Sequence, residues 1–173
     1  MGERVENMYE VSQLVSYGMH GVCRIVDTED RVIDHKCVTY FVLAPLSHPE
    51  SRYYLPKHNP VALAKIRPLL DAETLQTLLA TKTDQNMWVA DENRRKQLYR
   101  QLISSPDIGA LIQMVRCLYR YRREQQALGR RLHLSDENFL RDAERVLSGE
   151  LTLVLQIPEK DVPAYLLQML DVE

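Results

Sequence analysis

Hydrophobic positions alternate early in the chain and recur every three to four residues later, and the change falls near Pro60. Tyr9 to Tyr17 sets Tyr9, Val11, Leu14, Val15 and Tyr17 among polar residues, which predicts a strand. Gly18-Met19-His20-Gly21 follows as a turn, with glycines open to positive φ. Val22 to Thr28 is a second, β-branched strand, and residues 27–36 read as charged turn residues around Val32 and Ile33. Cys37 to Leu43 (CVTYFVL) is the strongest strand signal, β-branched and aromatic throughout. Residues 44–50, with Pro45 and Pro49, form a loop. Ser51 to Leu55 is a last short strand stopped by Pro56. Short strands joined by tight turns predict a small antiparallel barrel, with 37–43 as its central strand.

Beyond Pro60 the spacing is helical. Leu63, Ile66, Leu69, Leu70, Leu75, Leu78 and Leu79 predict short helical turns interrupted at Pro68, and residues 81–86 (TKTDQN) form a polar connector. Asp91 or a neighbour caps a helix that buries Leu98, Leu102 and Ile103. Ser105-Pro106-Asp107 reads as a helix start, with a capping hydroxyl, proline at the first position and an acid in the first turn. The helix that follows puts Ile108, Leu111, Ile112, Val115, Leu118 and Tyr119 on one face and Arg116, Arg120 and Arg123 on the other, and Gly129 ends it. Ser135-Asp136-Glu137 starts another helix, burying Phe139, Leu140, Ala143, Val146, Leu147 and Leu151. Pro158 breaks it, and Asp161 to Leu170 forms the last. Strands first and helices after define an α+β chain with a barrel domain over 1–70 and a helical bundle over 71–173.

Charge sharpens this division. The net charge of −2 over 173 residues hides strong segregation. Residues 94–131 carry ten cations (Arg94, Arg95, Lys96, Arg100, Arg116, Arg120, Arg122, Arg123, Arg130, Arg131) against Asp107 and Glu124, a net +8. The flanks are acidic, −4 over 71–93 and −6 over 132–173. Such a block is either a footprint for an anionic partner or a solvated face whose counter-charges lie on neighbouring helices. Trp88, the only tryptophan, stands beside it, as a core anchor or as an exposed aromatic that wedges against unstacked bases.

Motifs for chemistry are missing. There is no phosphate-cradling glycine loop, no H-E-x-x-H and no G-x-S-x-G, and His20, His35, His48, His58 and His133 are scattered. Cys23, Cys37 and Cys117 form no C-x-x-C pair and read as buried small hydrophobes in a reducing compartment. Neither catalysis, a metal nor a cofactor is expected. No run reaches the roughly 18 apolar residues of a membrane span, and MGERVENMYE lacks the apolar core of a signal peptide, so a cytoplasmic protein is expected.

The ordered set of segments resembles the CarD/CdnL family of bacterial transcription regulators. In the first half the resemblance lies in YEVSQLVSYGMHGVCRI (9–25), EDRVIDHK (29–36), YFVL (40–43) and YLP (54–56). In the second it lies in Trp88, Arg94-Arg95, MVRCLYR (114–120), Leu134-Ser135 and AERVLSGEL (143–151). It implies a Tudor-like barrel that binds the β subunit of RNA polymerase, and a helical domain that contacts promoter DNA at the upstream edge of the bubble without reading sequence. It also implies a tryptophan wedged in the minor groove that stabilises the open complex, and a monomeric, non-enzymatic molecule.

Carried over position by position, the resemblance puts DNA contacts on Trp88, Arg94 and Arg95. Lys96, Arg116, Arg120 and Arg123 join them as the cations nearby. Polymerase contacts fall on Arg31 and on the strand Arg52, Tyr53, Tyr54 and Leu55, paired edge to edge with a polymerase strand. Tyr54 stands where relatives often carry a cation, which implies a more apolar contact. Asp136-Glu137 replaces a helix start that is often basic, which implies a lost DNA contact there. A second reading makes the helical part an adaptor for another protein.

Overall fold

The computed structural model describes residues 8–83 and 86–170. Residues 1–7, 84 and 85 within the expected connector, and 171–173 lie outside them. Five strands form one antiparallel sheet: β1 Leu14–Ser16, β2 Val22–Ile33, β3 Lys36–Pro45, β4 Tyr53–Pro56 and β5 Arg67–Pro68, in the order β4-β3-β2-β1-β5. Among the described residues the expected closed barrel is not formed: β4 and β5 remain the two edges of the sheet. β1 covers only Leu14–Ser16 of the expected 9–17, β3 runs on to Pro45 in the expected loop, and β2 and β5 depart further. β2 runs on through the charged residues expected to be turn, and the reversal is confined to Asp34 and His35, both at positive φ. That outer half of the β2–β3 hairpin is exposed on both sides, so it lacks the alternation that marks a strand. It also exposes Cys37, which was expected to be buried. β5 has only two residues, one a proline, which suits an edge.

Among the described residues six α-helices follow or interleave: α1 Pro60–Leu63, α2 Ala72–Ala80, α3 Glu92–Ser104, α4 Ile108–Ala127, α5 Leu134–Leu155 and α6 Val162–Met169. Side-chain caps set several of their starts. Asn59 Oδ1 accepts from Val61 and Ala62, Asp71 from Thr74, Asp91 from Arg94 and Asp107 from Ala110. The start of α4 is thus shifted from the expected one. Asp107, not Ser105, is its cap, and Ser105 Oγ accepts instead from the Asp107 N–H at 3.1 Å. At the other end, Gly129 at φ 70° lets its own N–H reach Gln126 and that of Arg130 reach Gln125, closing α4 with a Schellman motif.

Apolar side chains gather in two cores. One joins Tyr9, Val15, Cys23, Ile25, Phe41, Leu43 and Leu55 of the sheet region to Ala62 and Ile66. The other lies among the helices, from Leu75 and Leu79 through Tyr99, Ile112, Leu118 and Leu147 to Leu166. The sheet docks on one end of the helices. Arg67 Nη1 and Nη2 donate to the Glu150 carboxylate at 2.9 and 2.6 Å, and Arg67 Nε donates to the Pro106 carbonyl at 2.8 Å. Glu150 also accepts from the Leu70 N–H, and Arg145 donates to the Met19 carbonyl. The docked end is therefore the C-terminus of α3, the N-terminus of α4 and the later part of α5.

Candidate functional site

Trp88 lies at the opposite end of the helices. Its ring stacks on Tyr121 of α4, centroids 3.5 Å apart and 24° between planes. Tyr121 is thirteen residues into α4, about 20 Å along the axis from the docked end at 1.5 Å per residue. The Arg95 guanidinium carbon lies 4.2 Å from the Trp88 ring centroid. Trp88 is only partly buried, so it is neither a full core anchor nor a freely projecting wedge. A cleft of about 280 Å³ opens beside it, lined by Thr83, Asn86, Cys117, Arg120, Tyr121 and Glu124 among others.

The cations expected to surround it divide sharply. Arg94, Arg120 and Arg123 are exposed, and so are Arg130 and Arg131 of the α4–α5 loop. Lys96 is held by Glu92 one turn earlier, 2.6 Å away. Two of the residues expected to contact DNA are buried instead: Arg95 is 2% exposed and Arg116 5%. Arg95 forms a bidentate pair with Asp136, both bonds 2.9 Å. Arg116 donates to the Leu79 carbonyl at 2.8 Å, the Thr81 carbonyl at 2.6 Å and the Leu170 carbonyl at 3.3 Å. It thereby satisfies carbonyls at the ends of α2 and α6, where the helix dipole favours a cation. Counter-charge for the basic block thus comes partly from neighbouring elements. The exposed remainder, with Trp88, can meet an anionic surface.

On the sheet, the expected polymerase-facing residues also divide, by strand alternation. Tyr54 is exposed, and the Arg31 guanidinium sits 3.7 Å from its ring centroid. Arg31 is further held by Glu29 at 2.9 Å, and Tyr40 packs edge-on against Tyr54. Tyr53 and Leu55 point the other way. Leu55 is buried, and Tyr53 packs against His20 and Tyr17. Arg52 turns back to the carbonyls of Pro49 and Ser51. The side chain of Leu55 thus belongs to the core, Tyr53 is half-buried among aromatics, and Arg52 stays exposed while bonded to its own loop.

The main chain of β4 is a different matter. Lys57 N–H donates to the Thr39 carbonyl. Bonds in an antiparallel pair alternate by residue, so Leu55 and Tyr53 face β3, and the N–H and C=O of Tyr54 face the open edge. Among the described residues no strand pairs there.

Three participants escaped sequence reasoning: Tyr121 as the stacking partner, Asp136 as the counter-ion and Glu150 as the docking acid. Asp136 sits where a helix start explains an acid locally, and that local explanation hides the distant partner. Among the described residues no cluster of three metal-ligating side chains occurs, and no helix is long and apolar enough to cross a membrane.

The described residues thus form an antiparallel sheet docked on one end of a set of helices, with an aromatic and exposed cations at the other end. The chain belongs to the CarD family: the model described as CarD, C-terminal domain, matches residues 73–167, more than half of it. It is accordingly a CarD-like, transcription-associated protein. No curated protein matches the chain.

Proposed function

We propose that this protein regulates bacterial transcription while tethered to RNA polymerase. Residues 1–70, with a sheet of Tudor-like type, bind the polymerase β subunit, and residues 71–173 contact promoter DNA and stabilise the open complex. The observation that carries the first contact is the free edge of β4. It offers the Tyr54 N–H and C=O to a partner strand, with Arg31 and Tyr54 forming an adjacent exposed face. For the second contact, support comes from Trp88 with Arg94, Arg120, Arg130 and Arg131 exposed at the far end. Cations of this kind hold phosphates without reading sequence, and the tether raises local concentration enough for weak DNA affinity to suffice.

Tyr54→Pro removes the outward N–H while leaving the bonds to β3 in place. The full chain carrying it is expected to lose capture of the polymerase β lobe while keeping its thermal unfolding profile. Undiminished capture would move the interface elsewhere.

The adaptor reading draws on one finding, that burial of Arg95 and Arg116 thins the basic face. Photocrosslinking from position 88 in a promoter complex separates the two. Crosslinks to DNA support the first, and crosslinks only to protein support the second.

A further inference from the structure

Arg95 was expected to touch DNA, and its surroundings assign it another task. A guanidinium has five N–H donors in a planar fork. Here Nε and Nη2 are aligned on the two oxygens of Asp136, each at 2.9 Å. Nη1 donates to the Val89 carbonyl at 2.7 Å and, more weakly, to Ala90 at 3.4 Å. The same group lies 4.2 Å from the centre of the Trp88 ring. One side chain on α3 thus holds the indole and the carbonyls of the two residues after it, while a carboxylate from α5, 41 positions away, fixes its own orientation. Both members are buried, Asp136 completely, which leaves no donor facing solvent for a phosphate. Local hydrogen bonding does the rest. The Trp88 N–H donates to Asn86 Oδ1 at 3.0 Å, and Asp91 caps α3 directly after the segment.

We infer that Arg95 and Asp136 are positioning residues that present Trp88. The buried pair fixes the 88–90 segment, so that the indole meets its partner with little conformational freedom left to lose. Ordering a loop on binding costs affinity, and holding it in the bound conformation beforehand removes that cost. The proposal rests on the DNA-contacting role argued above for Trp88, but its first readout does not. Trp88 is the only tryptophan, so intrinsic fluorescence reports on this residue alone.

Removing one member alone would leave a buried charge unpaired, so the deciding variant is the double R95M/D136L. It replaces the pair by apolar side chains of similar length, an exchange that buried pairs often tolerate. With folding checked by circular dichroism, its Trp88 emission is expected to shift to longer wavelength. Anisotropy should fall and acrylamide quenching rise. R95K keeps a charge facing Asp136 but not the planar fork, and should show the same changes at smaller size. It decides the matter if the double variant does not fold.

Emission, anisotropy and quenching equal to those of the parent protein would overturn the clamp. The second readout is the lifetime of the open promoter complex, expected to fall toward that of Trp88→Ala. A shifted emission with an unaltered lifetime would overturn the claim that presentation serves DNA contact. If Trp88→Ala itself left the lifetime unaltered, the fault would lie with the function proposed for Trp88.

Discussion

Arg94 and Arg95 are adjacent on α3, yet one is exposed and the other is 2% exposed. Their substitutions should therefore act on different quantities. Arg94→Ala is expected to leave stability within about 0.5 kcal/mol of the parent, as surface changes usually do. It should also reduce the slope of log affinity for DNA against log salt by about one. Arg95→Ala strands Asp136 as a buried, unpaired charge and should cost about 3–5 kcal/mol in urea unfolding. Equal stability losses at the two sites, or an unchanged slope for Arg94→Ala, would contradict this assignment. The difference could not be read from spacing. Both arginines lie in a polar run, and the partner that distinguishes them is far along the chain in α5. Arg116 poses the same problem. It sits on the expected polar face of α4, but α2 and α6 end against that face and bring carbonyls to it.

Helices and strands were legible to the degree that their pattern arises from burial on one side. α4 and α5 show the apolar spacing of their cores, and Asp91 caps α3 as its sequence implies. The outer hairpin of β2 and β3 has outgrown the core and left no such trace. β5 is a strand only because β1 is beside it. Tight packing between elements is equally silent in sequence. Gly18 sits at φ 47°, and a Cβ there would come within 2.7 Å of the Ser104 carbonyl oxygen at the end of α3. Gly129 also has positive φ, but a Cβ would meet nothing within 4 Å. Gly129→Ala should thus lose only the left-handed backbone preference, about 1–2 kcal/mol. Gly18→Ala should lose more, because the turn must also back away from α3. Urea unfolding of the two variants checks this, and a smaller loss at Gly18 would show that the docking contact yields easily.

At the scale of the molecule, the docking of sheet on helices sets the two proposed contact surfaces apart. The Arg67–Glu150 pair, the Arg67 bond to Pro106 and the Arg145 bond to Met19 hold the sheet at one end of α3, α4 and α5. Trp88 and the exposed arginines occupy the other end, so a polymerase-bound sheet would hold the basic end out toward DNA. The α+β order and the charge block were visible in the sequence. The two-ended arrangement was not, because it depends on which helix termini meet the strands. The most direct test of the two-ended account is the dissociation half-life of open promoter complexes formed by bacterial RNA polymerase with the parent protein or with Trp88→Ala. A longer half-life is expected with the parent protein than with polymerase alone. With Trp88→Ala the half-life should fall toward that of polymerase alone, while capture of the β lobe stays intact. A Trp88→Ala protein that prolongs the complex as well as its parent would contradict it.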